Sequence, residues 1–288
     1  MSPSIETRNH GRPRRLVACR AGLTLIELMF AGTISTLLVG AMALVAATVN
    51  QNSTHNAGCQ DAVQHARVVM DRLSRFVGEA YATETYPGVV VVADRVGGTR
   101  YPDTVLIWRP GGAPVNAAGP PLIRELLMIC PDPANPGRLL EVTMPTDART
   151  IELNDASLNT TTGRALVASL KTASTSVKTL LTPLMRTATI SYTVSGATAA
   201  TRRGAVRFEC ELRPTAAQLT SFRGGSTSWN ALNWPQGLYG SGSGTRQVWL
   251  RTELQLLGKA PAADGAVAAD AAVLPFFGSA TLYYCLTK

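Results

Sequence analysis

The chain has 288 residues, a formal charge of +8 and 45% apolar residues, a composition that excludes a disordered polymer and supports one substantial core. Arg8, Arg12, Arg14, Arg15 and Arg20 against Glu6 place half of that charge in the first 22 residues. The rest is mildly basic, with Arg202-Arg203 its one close pair, so the clustered basic face of a nucleic-acid binder is missing and nucleic acid is not an expected partner.

Residues 1–22 read as a basic leader. Leu16-Val17-Ala18-Cys19 looks superficially like a lipoprotein signal, but arginines occupy the place where its apolar stretch belongs. Residues 23–49 form an apolar run of 27 with one charge, Glu27, where about 20 residues cross a bilayer. The run is apolar all round, unlike a helix buried in a soluble core, which keeps a polar face. Arginines precede it and no basic cluster closely follows, so the start is expected in the cytoplasm and the bulk of the chain outside. An ordinary secretory signal has its small-residue cleavage site beyond the apolar stretch. Here Ala21 and Gly22 come before it, so a cut there leaves the membrane helix on the mature protein.

An acid at position 27 inside hydrocarbon requires compensation, and no Lys or Arg stands between Leu23 and Arg67. Removal of the leader would free the amino group of Leu23, a positive charge four residues from Glu27 along the helix.

Residues 50–80 continue as an amphipathic helix. Ala62, Ala66, Val69, Leu73, Phe76, Val77 and Ala80 recur at three-and-four spacing, with charged residues opposite. Arg67, Asp71 and Arg75 stand four apart and are expected to pair. Gly58 and the polar stretch 50–56 suggest a bend or local break. Beyond, residues 89–92, 104–108, 122–129, 139–144, 187–194, 206–212, 247–256 and 281–286 are β-branched or aromatic runs bounded by turn residues, hence strands. Val206, Phe208, Cys210 and Leu212 alternate, which predicts a sheet with one buried face. Residues 164–181 read as a helix, and 111–121, 221–245 and 261–272 as loops. Gly240 to Gly244 lacks the lysine of a phosphate loop. The expected fold is α+β, with residues 81–288 as a globular domain whose antiparallel strands lie against the long N-terminal helix.

Gly22-Leu23-Thr24-Leu25-Ile26-Glu27-Leu28-Met29 resembles the processing site of type IV prepilins and type II secretion pseudopilins, and residues 66–75 resemble the stalk of W-type minor pilins and J-type minor pseudopilins. The resemblance covers about the first 80 residues. It implies cleavage between Gly22 and Leu23 by a membrane prepilin peptidase, methylation of the new Leu23 amine, and a role for Glu27 in registering subunits during assembly. The family usually begins its mature chain with Phe, and here the residue is Leu23. By the same resemblance the partners are other pilins or pseudopilins, prepilin peptidase, inner-membrane lipid and assembly-platform proteins, and the location is a bacterial inner membrane or a filament drawn from it. The alternative is an uncut single-pass anchor carrying an extracytoplasmic binding domain.

With Cys19 in the leader, Cys59, Cys130, Cys210 and Cys285 remain. An even number outside the cytoplasm suggests one or two disulfides, with three complete connectivities; Cys210 with Cys285 is the favoured pair, and buried free thiols are the alternative. There is no zinc-type spacing. The histidines are His10, His55 and His65, none in residues 81–288, which leaves no histidine base for an enzyme there. Asp94, Asp103, Asp132 and Asp155 read as solvated loop acids in preference to calcium ligands. No metal or cofactor is expected.

Overall fold

The computed structural model describes residues 24–194, 196–228, 231–232, 243–259 and 272–287. The leader 1–22, Leu23 and most of the 261–272 stretch lie outside them. The chain divides into two compact units, Met1–Asn52 and Ser53–Lys288. Helix α1, Leu25–Gly78, begins in the first and ends in the second.

In the first unit α1 is exposed along its apolar length, from Leu25 through Leu37 and Leu44 to Val49. It is the one described helix long and apolar enough to cross a membrane.

In the second unit the buried residues of α1 are Ala62, Ala66, Val69, Leu73, Phe76 and Val77, the stripe that the spacing predicts; Ala80 is buried just past the helix end. Gly58 makes no break, because α1 is continuous through it. A Cβ there would run into the carbonyl oxygen of Gly258, so Gly58 is a close-approach residue. Its neighbour Cys59 places Sγ 3.4 Å from where a Cβ on Gly258 would lie.

The strands form three antiparallel groups. Five of them, β1 (Val89–Val96), β2 (Thr99–Trp108), β3 (Leu126–Pro131), β4 (Leu139–Thr143) and β5 (Val177–Thr182), make one sheet in sequence order. The second sheet has the order β10 (Val273–Thr287), β9 (Ser243–Leu257), β8 (Val206–Arg213), and β6 (Thr187–Val194) pairs with β7 (Ala197–Gly204). The mixed α+β class of the sequence reading holds, with three sheets.

Successive strand residues point to opposite faces, and in the five-stranded sheet both faces are buried over the middle of β1 to β4, while β5 is exposed from Val177 to Leu180. Val89, Val105, Ile107, Leu127, Ile129 and Leu139 join the α1 stripe and the inner face of the three-stranded sheet in one core. Val90, Val92, Leu106, Trp108, Met128 and Val142 join a second core. Leu158 of α2 (Asp155–Leu158) and Val167 and Leu170 of α3 (Thr161–Thr172) close that second core. Double burial explains the unbroken apolar runs in β1 to β3. The single-face alternation of β8 also stands, with Val206 and Phe208 buried and Cys210 and Leu212 packed on the same core.

Several expectations need correction. The helix expected at 164–181 begins earlier, capped by Thr160 Oγ1 accepting from Gly163 N at 3.0 Å, and ends at Thr172. Ser176 Oγ donates to the Ala173 carbonyl at 2.6 Å in the following turn, and β-branched Val177 and Thr179 then pair with β4 as β5; local hydroxyl bonds compete with helix propagation. Residues 221–223 are not loop but the end of α4 (Ala216–Arg223), which a Thr215–Gln218 capping box starts. Residues 243–245 open β9. β1 and β2 run longer than predicted and meet at Gly97 and Gly98, whose φ values of 55° and 85° suit a two-residue hairpin turn. The expected Arg67–Asp71 and Asp71–Arg75 pairs give way to Arg72–Glu141 at 2.9 Å, Arg109–Glu79 at 2.6 Å and Arg75–Glu79 at 3.9 Å.

Two substitutions test this core by denaturant unfolding of the full chain. Phe76 is 2% exposed, so Phe76→Ala is expected to cost about 3–5 kcal/mol. Gly58→Ala gains roughly 1 kcal/mol of helix propensity but must displace the Gly258 backbone just past β9, so a net loss of about 1 kcal/mol or more is expected. Gly78→Ala, with nothing within 4 Å, serves as the neutral control; equal behaviour of the two glycine variants would refute the close-approach role of Gly58.

Candidate functional site

The sequence singles out the start of α1, and there the backbone and Glu27 form a local cap. Oε2 of Glu27 accepts from the Thr24 amide at 2.9 Å and from Thr24 Oγ1 at 3.0 Å, while the Glu27 amide donates to Thr24 Oγ1 at 3.4 Å. This is the reciprocal arrangement of a capping box. It satisfies backbone donors that a helix terminus otherwise leaves open. The sequence reading missed it although its signal, Thr24-Leu25-Ile26-Glu27 ahead of an apolar run, is legible. Glu27 therefore already has polar partners within its own turn. Gly22 and Leu23, the expected processing residues, lie outside the described residues.

Polar residues inside this apolar helix are handled the same way. Thr33 Oγ1 donates to the Phe30 carbonyl at 2.9 Å, and Thr48 Oγ1 to that of Leu44 at 2.9 Å. Their hydroxyls are satisfied without a partner chain, so Glu27 is the single ionisable group between Leu25 and Val49.

The cysteines and acids of the second unit are not brought together as a site. Cys59, Cys130, Cys210 and Cys285 are free thiols. The favoured Cys210–Cys285 disulfide is ruled out by the sheet order, since β9 separates β8 from β10. Cys210 pairs with Leu250 and Cys285 with Thr245, so two inter-strand spacings, roughly 9.6 Å, and a five-residue offset lie between them. That is beyond disulfide reach.

Asp94 and Asp103 are strand residues, not loop acids. Arg203 of β7 clamps both, reaching Asp103 at 2.7 Å and Asp94 as well, and Lys171 lies 3.8 Å from Asp103. The Arg202-Arg203 pair is thus engaged internally, with Arg202 Nε also donating to Thr187 Oγ1 at 2.8 Å. Asp132 caps the Ala134 amide at 2.9 Å, and Asp155 accepts from Asn159 at 2.7 Å. Among the described residues no three His, Cys, Asp or Glu side chains gather as metal ligands. His55 and His65 lie on α1, with His55 Nε2 3.7 Å from Cys59 Sγ one turn on.

No protein-family model, curated protein or solved structure matches the chain.

Burial pushes the thiols of Cys130 and Cys210 from the ordinary value of 9 up to about 12. Both are expected to resist alkylation at pH 8 in the native protein while the exposed Cys285 reacts, and mass mapping of the modified residues reads this directly. The linkage has a definite sign. The unfolded chain releases these protons near pH 9 and the folded chain retains them, so stability falls as pH rises from about 9 towards 12. Replacement of either cysteine by Ala should flatten that part of the curve.

Proposed function

We propose that this chain is a filament subunit of the type IV prepilin class, a minor pilin or pseudopilin cut after Gly22 and assembled through its N-terminal helix. The observation that carries the reading is an order of features: a basic leader, then Gly22, then Leu23 to Glu27 opening an apolar helix. That order lets a protease remove the leader and leave the anchor. The exposed apolar length of α1 from Leu25 to Val49 supports it. Such a surface is stable in lipid, and after extraction it must be covered by like helices of neighbouring subunits. Function on this reading lies in contacts with other subunits and not in catalysis. The globular part faces the periplasm or the exterior, and the precursor waits in the inner membrane.

Glu27 has the central role. Oε2 is held by Thr24, and the freed Leu23 amine would supply the cation that an acid in hydrocarbon requires. In the cut subunit waiting in the membrane that cation is the chain's own; in a filament a neighbour's can take its place.

Intact-mass measurement of the membrane-bound protein tests the processing step. A chain beginning at Leu23, one methyl group heavier on its amine, is the expected result; a chain retaining residues 1–22 would favour the uncut anchor and end the filament reading. Glu27→Ala should be inserted and cut as usual yet recovered poorly in co-purified assemblies. Unchanged recovery would remove the pairing role.

A further inference from the structure

β1 and β8 are edge strands of different sheets, and both line a cleft of about 680 Å³ in the second unit. Pro87, Val89 and Val91 stand on one side, and Phe208 and Leu212 on the other, with Ala216 at the start of α4. A volume of several hundred Å³ with apolar walls is the usual form of a small-molecule site.

Arg246 of β9 belongs to the same wall and is 5% exposed. Its Nε donates to the Pro214 carbonyl at 3.2 Å, and none of the ion pairs among the described residues involves it. A buried guanidinium lacking an anion is unfavourable, and removing it from water demands a compensating charge.

The neighbouring groups do not provide one. Glu84 pairs with Arg223 and Glu209 with Arg207; Asp155, bonded to the Asn159 amide, lines the cleft but forms no ion pair with Arg246. Burial keeps the Cys210 thiol and the Tyr284 hydroxyl protonated at neutral pH. The Tyr284 hydroxyl, buried beside Arg246, is a neutral neighbour and supplies no negative charge. The cleft wall thus holds a buried cation with no ion pair among the described residues.

An extended peptide is a poor occupant. A strand inserted between β1 and β8 needs roughly 9.6 Å between them, yet Cys210 Sγ donates across the gap to the Val89 carbonyl at 3.7 Å. Asn159 has also taken the outward Val91 carbonyl at 3.0 Å and the Ala93 amide at 2.9 Å, so the ladder groups that a peptide would use are blocked. The acids at the rim disfavour a polyanion.

We propose that this cleft binds a small molecule with an apolar body and one carboxylate, the carboxylate pairing with Arg246 and the body lying along the half-buried Val91 and Leu212. The inference is independent of the filament reading.

The test uses the full chain in lipid nanodiscs, with empty nanodiscs as blank, and compares phenylbutyrate, phenylbutanol and phenylbutylamine by calorimetry at neutral pH. Saturable binding of the acid, about tenfold or more tighter than the alcohol, with none for the amine, is expected. Arg246→Met should weaken the acid by about tenfold or more. Ala216→Phe, at an exposed position, keeps the arginine but fills the cleft and should abolish binding with an unchanged unfolding midpoint. Equal binding of the three probes, no saturable binding of the acid at millimolar concentration, or full binding by the well-folded Ala216→Phe protein would overturn the proposal.

Discussion

The second unit depends on one packing arrangement, the burial of the α1 stripe against two sheets at once. Val69, Leu73, Phe76 and Val77 share a core with Val89, Ile107 and Ile129 of the five-stranded sheet and with Leu250, Leu254 and Leu282 of the three-stranded sheet. Small residues make the approach close: Gly58 meets the Gly258 carbonyl, and a Cβ at Gly278 would lie 2.5 Å from Met70 Sδ. Large side chains fill the middle and glycines sit where backbone meets helix, which is how a core reaches native density. The helix is therefore a structural member of the globular fold, and removing its last turns would expose both sheets.

The same constraint explains why one helix carries two kinds of surface. From Ala62 onward its apolar residues are confined to a stripe, because only that stripe meets protein. From Leu25 to Val49 apolar residues lie all round and are exposed, so none of the described residues covers them. A backbone that satisfies its own hydrogen bonds can pass from one environment to the other without a break, and the change is carried entirely by side chains. Asn50, Gln51, Asn52 and Ser53 mark the change in sequence.

This division decides what was legible in the sequence. The α1 stripe was, because a period of 3.6 over many turns cannot be mistaken. So were β1 to β4, although their apolar runs do not reveal that both sheet faces are covered; that became visible only when Val89 and Val90 fell into different cores. β7 was missed because Ala197-Thr198-Ala199-Ala200 carries little strand preference and gains its state from pairing with β6. The helix at 164–181 was drawn too long because Leu180 and Leu181 fit its spacing, whereas the hydroxyl turn at 173–176 stops it. The disulfide preference failed for a topological reason, since strand order is not written in the spacing of Cys210 and Cys285. Arg246 was equally invisible, because its burial on β9, against Pro214 and beside Tyr284 of β10, arises only in the folded chain.

At the start of α1 the capping box and the proposed processing step make different demands on Glu27, and they are compatible. The cap uses the amide and hydroxyl of Thr24. The peptide bond that supplies this amide joins Leu23 to Thr24 and is untouched by a cut after Gly22, so the donors exist before and after cleavage. Trimming would change the charge beside the carboxylate without changing the bonds that aim it. A carboxylate whose direction is set in advance loses little freedom when an amine arrives, so more of the electrostatic gain remains for the contact. On the filament reading, Thr24 matters because it holds Glu27 ready for a cation that the precursor does not yet have.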